Sequence, residues 1–334
     1  VSSAASDVYK RQVMKNYVMM GALSLLVLAA SCSSDDHNKI LNETRMITPR
    51  ISATVADESL YQSPLTGVIE IYPCISGTST YFGNYVNGNL TPFYGYYHII
   101  DGHILEGEHN RELHLPMNTY NMVYWGTPKY EEPIYDTPAI HTPGFSIGVD
   151  LSSLYFSLWS NNDGTYRPVY DLVYAVKEAK VGEEDLKASL KRVIAGMKVI
   201  VKKKNNGIFS SNITNMQVRI GNIANQINFY TAEASDMTKT IKFDLKRSED
   251  GTEMSNATVM VFPSSETPPL ELLITLKDGS VHKLSRNLNS TLSANTRLTL
   301  NIVIGDILSG GSTGDFTIEN WNEVSETIEF PMVD

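Results

Sequence analysis

The residue best placed to do chemistry is Cys32, which closes the run Leu28-Ala29-Ala30-Ser31-Cys32. A thiol directly behind small residues, at the end of an apolar stretch, fits the acceptor pattern for diacylglyceryl transfer to sulfur. Cleavage after Ser31 and acylation of the new amino group then follow. The apolar stretch runs from Tyr17 to Ala30 behind Lys15, too short for the roughly 20 residues of a membrane-spanning helix. Residues 14–31 therefore read as a lipoprotein signal peptide, with an ordinary secretory signal in which Cys32 happens to follow Ala-Ser as the alternative. Several acyl chains, at about 0.8 kcal/mol per buried methylene, would make the attachment effectively permanent. The expected location is extracytoplasmic. Residues 1–13 are neither basic nor apolar enough for the start of a signal and read as a non-native leader. Behind the cysteine, Ser33-Ser34-Asp35-Asp36 reads either as a surface-export tag or as a plain polar tether.

Other chemistry-bearing groups are sparse. Four of the seven histidines, His98, His103, His109 and His114, fall close together. A type I′ hairpin turning at Asp101-Gly102 puts His98 opposite Leu105 and His103 opposite Ile100. The two imidazoles are then out of register, whereas zinc wants three or four ligands with a supporting shell. They read as exposed strand histidines, and no metal or cofactor is expected. Glu131-Glu132 and Glu183-Glu184-Asp185 read as solvated loop or helix-start carboxylates. No Gly-rich phosphate loop, Gly-x-Ser-x-Gly elbow, His-Glu-x-x-His or Cys-x-x-Cys occurs, so no catalytic residue is assigned and an enzyme is not expected. Tyr94, Tyr96 and Tyr97 with Trp125 and Trp159 allow a sugar-stacking platform, and equally a sandwich core or inter-domain seam. The core reading is favoured, and a glycan-binding outer-membrane lipoprotein stays as the alternative.

With 27 basic and 37 acidic residues the chain is mildly acidic, which disfavours a nucleic-acid partner. Lys202-Lys203-Lys204 follows Val199-Ile200-Val201 and precedes Asn205-Asn206-Gly207, a strand running into a solvated turn. Cys74 has no intramolecular partner if Cys32 is lipidated, so an exported chain without disulfides must rely on its core.

Cleavage after Ser31 leaves 303 of the 334 residues, enough for two domains. Short Val/Ile/Thr/Tyr runs alternate with Gly, Asn, Asp and Pro turns, the pattern of antiparallel β-sandwiches. Expected strands include Thr66–Tyr72, Phe93–Ile100, His103–Glu106, Asn118–Trp125, Leu154–Trp159 and Val169–Val176. Further along come Gly196–Lys203, Asn212–Ile220, Gln226–Thr231, Thr240–Leu245, Ala257–Phe262, Leu270–Leu276, Val281–Leu284 and Arg297–Ile304. Apolar residues at 186, 190, 193 and 194 suggest one short helix within Glu183–Ala195. The turn-rich Asn161-Asn162-Asp163-Gly164 cluster marks the expected boundary. The divisions are a tether over 32–50, an N-terminal sandwich over 51–163 and a C-terminal sandwich over 164–334.

The lipoprotein signal, two sandwiches, Leu190-Lys191-Arg192-Val193-Ile194-Ala195-Gly196-Met197-Lys198-Val199, and a last strand followed by Ile318-Glu319-Asn320-Trp321 together resemble the fimbrillin superfamily, closest to its FimB-type fimbrial subunits. The resemblance implies two tandem transthyretin-like β-sandwiches in an anchor or accessory subunit of a fimbria (pilus), displayed on the outer membrane through its lipid. Implied partners are other fimbrial subunits, joined by β-strand donation, and host or bacterial surface ligands for adhesion. Stalk subunits of that superfamily lose their first strand to a trypsin-like cut after an arginine, which opens a groove. Arg45 and Arg50 precede the expected strand Ile51–Val55 and are the candidate processing sites, with a stalk or tip subunit as the alternative role. The tail Glu326–Val333 reads either as a donor strand or as the last strand of its own domain.

Overall fold

The computed structural model describes residues 45–56, 62–92, 95–105, 112–130, 133–204, 206–304, 314–320 and 328–330. Among the described residues the regular structure is nearly all strands. In the first third these are β1 (Met46–Ile47), β2 (Ile51–Ala56), β3 (Gln62–Pro64), β4 (Gly67–Ile75), β5 (Asn84–Val86), β6 (Asn89–Thr91), β7 (Tyr97–Ile100) and β8 (His103–Ile104). Then come β9 (Leu115–Pro116), β10 (Asn118–Pro128), β11 (Ile140–His141), β12 (Tyr155–Leu158), β13 (Val173–Val181), β14 (Leu186–Arg192), β15 (Ala195–Lys203) and β16 (Ile213–Asn228). The last are β17 (Ala234–Arg247), β18 (Glu253–Ser255), β19 (Val259–Val261), β20 (Pro269–Leu276), β21 (Val281–Asn287), β22 (Arg297–Ile304), β23 (Gly314–Asn320) and β24 (Ile328–Phe330).

The first sheet runs β14-β13-β10-β4-β7-β8-β2-β3 and closes on itself because β14 also pairs with β2. Its interior holds Ile69, Ile71, Ile99, Met122, Tyr124, Leu186 and Leu190. The second sheet follows β11-β12-β16-β17-β18-β15-β22-β23-β24, with β20 and β21 attached beside β16. Its strands alternate as half-buried sandwich strands should: Leu270, Leu272, Ile274 and Leu276 point inward on β20, and Leu298, Leu300, Ile302 and Ile304 on β22. The all-β sandwich fold is as expected. Two pairings, β14 with β2 and β15 with β22, are parallel.

Alternation along β4 and β10 joins the two cores. Ile69, Ile71, Met122 and Tyr124 face the first interior. Tyr72, Cys74, Val123 and Trp125, on the opposite face, belong to the second core. This sheet is therefore buried on both sides there, and its apolar runs read as nearly continuous.

Several elements differ from the sequence reading. Glu183–Ala195 forms no helix. Leu186, Ala188 and Leu190 are buried while Lys187, Ser189 and Lys191 are exposed, a period of two, and the segment lies as β14 beside β2. The spacing 186/190 fits both periods, and pairing with β2 decides between them. Asn212–Ile220 and Gln226–Thr231 are not two strands. They merge into β16, which continues through an irregularity at 220–224 where Asn222 adopts φ +54°. β11 and β12 join the second sheet through Tyr155–Ser157 against Gln226–Asn228, while β13 and β14 return to the first. The Asn161–Gly164 cluster is a turn, pinned by Asp163 to Lys242 of β17 at 2.5 Å.

Candidate functional site

The described chain starts with Arg45. Its carbonyl accepts from Met117 N at 2.9 Å, and Met46 and Ile47 pair with Pro116 and Leu115. The chain then passes through buried Pro49, which interrupts the pairing because proline has no amide hydrogen, and enters β2. Six consecutive residues, Ile51–Ala56, lie parallel to Leu186–Lys191. On the other side Ala53 donates to Gly102 O at 3.0 Å and accepts from Leu65 N at 3.0 Å, while Thr54–Ala56 pair with Gln62–Pro64. Gly102 takes φ +81° in the Asp101-Gly102 turn, so its carbonyl and amide can both reach inward. β2 is thus an inner strand of a closed ring, with both edges bonded.

Arg45 and Arg50 are exposed, and the Arg50 carbonyl accepts from Leu186 N at 2.8 Å. Because β2 starts at Ile51, cleavage after either arginine leaves β2 in its sheet. Among the described residues, β1 is the one strand before Arg50. Cys32, the signal peptide and the Ser33–Asp36 segment lie outside the described residues.

His98 and His103 lie on β7 and β8 in the expected register, Ile100 opposite His103, with Leu105 N donating to His98 O at 2.9 Å. Both are exposed. His114 lies apart, its Nε2 3.1 Å from Glu112 and its Nδ1 3.3 Å from Thr48 Oγ1. His109 is outside the described residues, as are Glu131-Glu132, Tyr94 and Trp321. Glu183–Asp185 form the solvated turn between β13 and β14, where Glu184 accepts from Lys180 N at 3.0 Å. Among the described residues no group of three or more His, Cys, Asp or Glu is placed to hold a metal.

The aromatic set does not form one plane. Trp125 and Tyr97 are buried, whereas Tyr96 and Trp159 are exposed. Trp159 stacks on His141 at 4.2 Å. Trp125 fills the seam between the sheets, and its indole N–H donates to Phe229 O at 3.0 Å. Cys74 is free and buried in the same seam, and burial pushes its thiol up to about 12, which makes it a poor nucleophile.

One seam residue had no signal in the sequence. Glu70, opposite Trp125 on β4, accepts from the Tyr72 hydroxyl. Burial raises the carboxyl's pKa, and the tyrosine hydrogen bond lowers it in part. The folded state therefore holds this proton more tightly than the unfolded chain. The stability it contributes is full below the ordinary carboxylate range and is lost as pH rises through the raised value. Glu70→Gln should remove that loss. Urea midpoints of wild type should fall relative to the variant as pH rises from about 4, and parallel pH profiles would contradict it.

A closed ring, a second sandwich packed on the other face of β4 and β10, and a β2 bonded along both edges define a β-sandwich protein. The family model of the fimbrillin-A associated anchor proteins Mfa1 and Mfa2 matches residues 46–327. The chain belongs to that family: it is a fimbria-associated structural protein of the cell surface and not an enzyme.

Two solved structures match at TM-score 0.50. One is a candidate polysaccharide-binding protein from Bacteroides thetaiotaomicron (12% identity, covering 83% of this chain and 98% of that one). The other is a candidate adhesin from Bacteroides ovatus (9% identity, 84% and 96%). The fimbrial anchor protein Mfa2 from Porphyromonas gingivalis matches at TM-score 0.48 with 12% identity, over 82% and 96%. At these identities the likeness is one of fold. No curated protein matches the chain by sequence.

Proposed function

We propose that the protein is a lipid-anchored anchor or accessory subunit of a fimbria, held in the outer membrane through Cys32 and joined to other fimbrial subunits by β-strand donation. The observation that carries the anchor role is the bonding of β2 on both edges, to β14 and to β3 and Gly102. Opening a groove in this ring would require losing β2, and cuts after Arg45 or Arg50 do not achieve that. An uncut chain runs on from Cys32 into β2, which is what an anchor needs and a released stalk or tip subunit does not. The 51–163 and 164–334 division is kept as a proposal for the two domains' approximate extents, with strands exchanged across it.

The test is Cys32→Ala in fimbriated cells. The variant should leave the membrane fraction, and fimbriae should appear in the medium instead of on the cells. Fimbriae that stay cell-bound, with the variant still in the membrane fraction, would overturn the proposal.

A further inference from the structure

Four large apolar side chains, Met46, Ile75, Val86 and Met117, stand 41–48% exposed around β1 and β9. Met46 pairs with Pro116, and Met117, next in the chain, donates its N–H to Arg45 O at 2.9 Å. Val86 closes β5 and lines one cleft of ≈ 570 Å³ with Met46, Tyr85, Glu112 and His114. Ile75 ends β4 opposite Tyr120, whose hydroxyl donates to Pro116 O at 3.0 Å. Backbone holds the group in place: Asn87 and Gly88 turn the β5–β6 hairpin, and Tyr85 N donates to His114 O at 3.1 Å. Apolar residues exposed singly are ordinary, whereas several side by side mark a contact surface.

What covers the patch follows from the path of the chain. Met46 stands 14 positions after Cys32, and 14 residues fully extended span at most about 50 Å. The inference rests on the lipid at Cys32 proposed above, since a chain so tethered keeps this end of the ring near the bilayer. A tether makes docking intramolecular, at an effective concentration in the millimolar range, so a contact too weak to join free molecules is still populated. Its strength scales with the apolar area that reaches the headgroup boundary. Charge does not select an anionic surface: the turn whose Gly182 packs against Met117 and Ile47 carries Glu183, Glu184 and Asp185, all exposed, and Glu112 lines the cleft. We propose that this end of the ring seats on the bilayer surface through Met46, Ile75, Val86 and Met117, by apolar contact.

The lipidated full chain in phosphatidylcholine vesicles tests this. With Cys32 acylated and Cys74 buried, a cysteine introduced at Val86 or Met117 is the one thiol open to a bimane label. Leu105→Cys is the control, because Leu105 is as exposed as Val86 but follows β8, beside the other end of β4 where Gly67 pairs with Ile99. On vesicles the labels of Val86→Cys and Met117→Cys should shift to the blue and be quenched by doxyl-carrying lipids, while that of Leu105→Cys should do neither. Both positions are exposed, so either variant serves if the other folds poorly. High salt or added phosphatidylglycerol should change nothing, and a seat that needs the anionic lipid would overturn the apolar basis. Failure of the chain to float with the vesicles would remove the lipid anchor and this inference with it. Flotation with both labels still in water, or equal quenching at Leu105, would overturn the seat alone. So would labels shielded only when another fimbrial subunit is added, which would assign the patch to a protein partner.

Discussion

Trp125→Ala should destabilise the protein by about 3–5 kcal/mol, the range for removing a large buried aromatic ring. The ring is 2% exposed and packs against Phe156 and Tyr174 at 4.8 Å each and Phe229 at 5.8 Å between centroids. Edge-to-face and tilted contacts of this kind add to the burial itself. The substitution also removes the donor to Phe229 O, leaving a buried carbonyl without its indole partner. Because Trp125 stands on β10 of the closed ring while Phe156 and Phe229 belong to the second sheet's region, the cavity would open where the two sheets share a core. Both should lose stability together. The urea midpoint read by far-UV circular dichroism checks this, and a loss under about 1 kcal/mol would mean the site collapses around the gap or is not packed as described.

Asp171→Ala should cost a similar amount, about 3–5 kcal/mol, because it removes the bidentate carboxylate partner of a partly buried guanidinium. Arg192 binds Asp171 through two parallel hydrogen bonds, Nε to Oδ1 at 2.8 Å and Nη2 to Oδ2 at 2.9 Å, with side-chain exposures of 15% and 1%. The pair braces the start of β13 against the end of β14, where Val173 lies opposite Arg192, and β14 in turn holds β2. Part of the cost belongs to leaving the buried cation without this carboxylate, beyond the loss of the two bonds themselves. The double variant Asp171→Leu/Arg192→Leu should therefore recover much of the loss. If the double variant is as unstable as the sum of the two single ones, the pair is not the unit described.

How much of this was legible depended on how local the deciding interaction was. The turn and register of the β7–β8 hairpin were readable, though not the strand bounds, because Asp101-Gly102 fixes the turn and the turn fixes the register. The β5–β6 hairpin carried the same kind of signal in Asn87-Gly88, which adopt φ +50° and +76°, yet its flanking runs are too short to stand out. Trp125 was readable as core from its place at the end of an apolar run. The strand character of Leu186–Arg192 was not, since its two periods tie until β2 arrives from more than 130 residues upstream.

The same holds for charge. Arg192 was noticed within a motif, but its partner Asp171 could be found only once β13 and β14 had paired. The Gln217–Asp244 hydrogen bond likewise exists only in the register of β16 and β17, and the Asn161–Gly164 cluster carried turn chemistry that says nothing of whether a turn separates domains or folds onto one. Sequence patterning reports burial and turns well, and long-range partners poorly, because the latter are set by topology.

The most direct test of the central claim is mass spectrometry of the mature protein taken from its native membrane. The account predicts a chain that begins at Cys32, carries acyl groups on its sulfur and amino nitrogen, and keeps Arg45, Arg50 and β2. An unlipidated N-terminus at Met46 or Ile51 would contradict it: the protein would then be released by proteolysis and could not anchor a fimbria through its lipid.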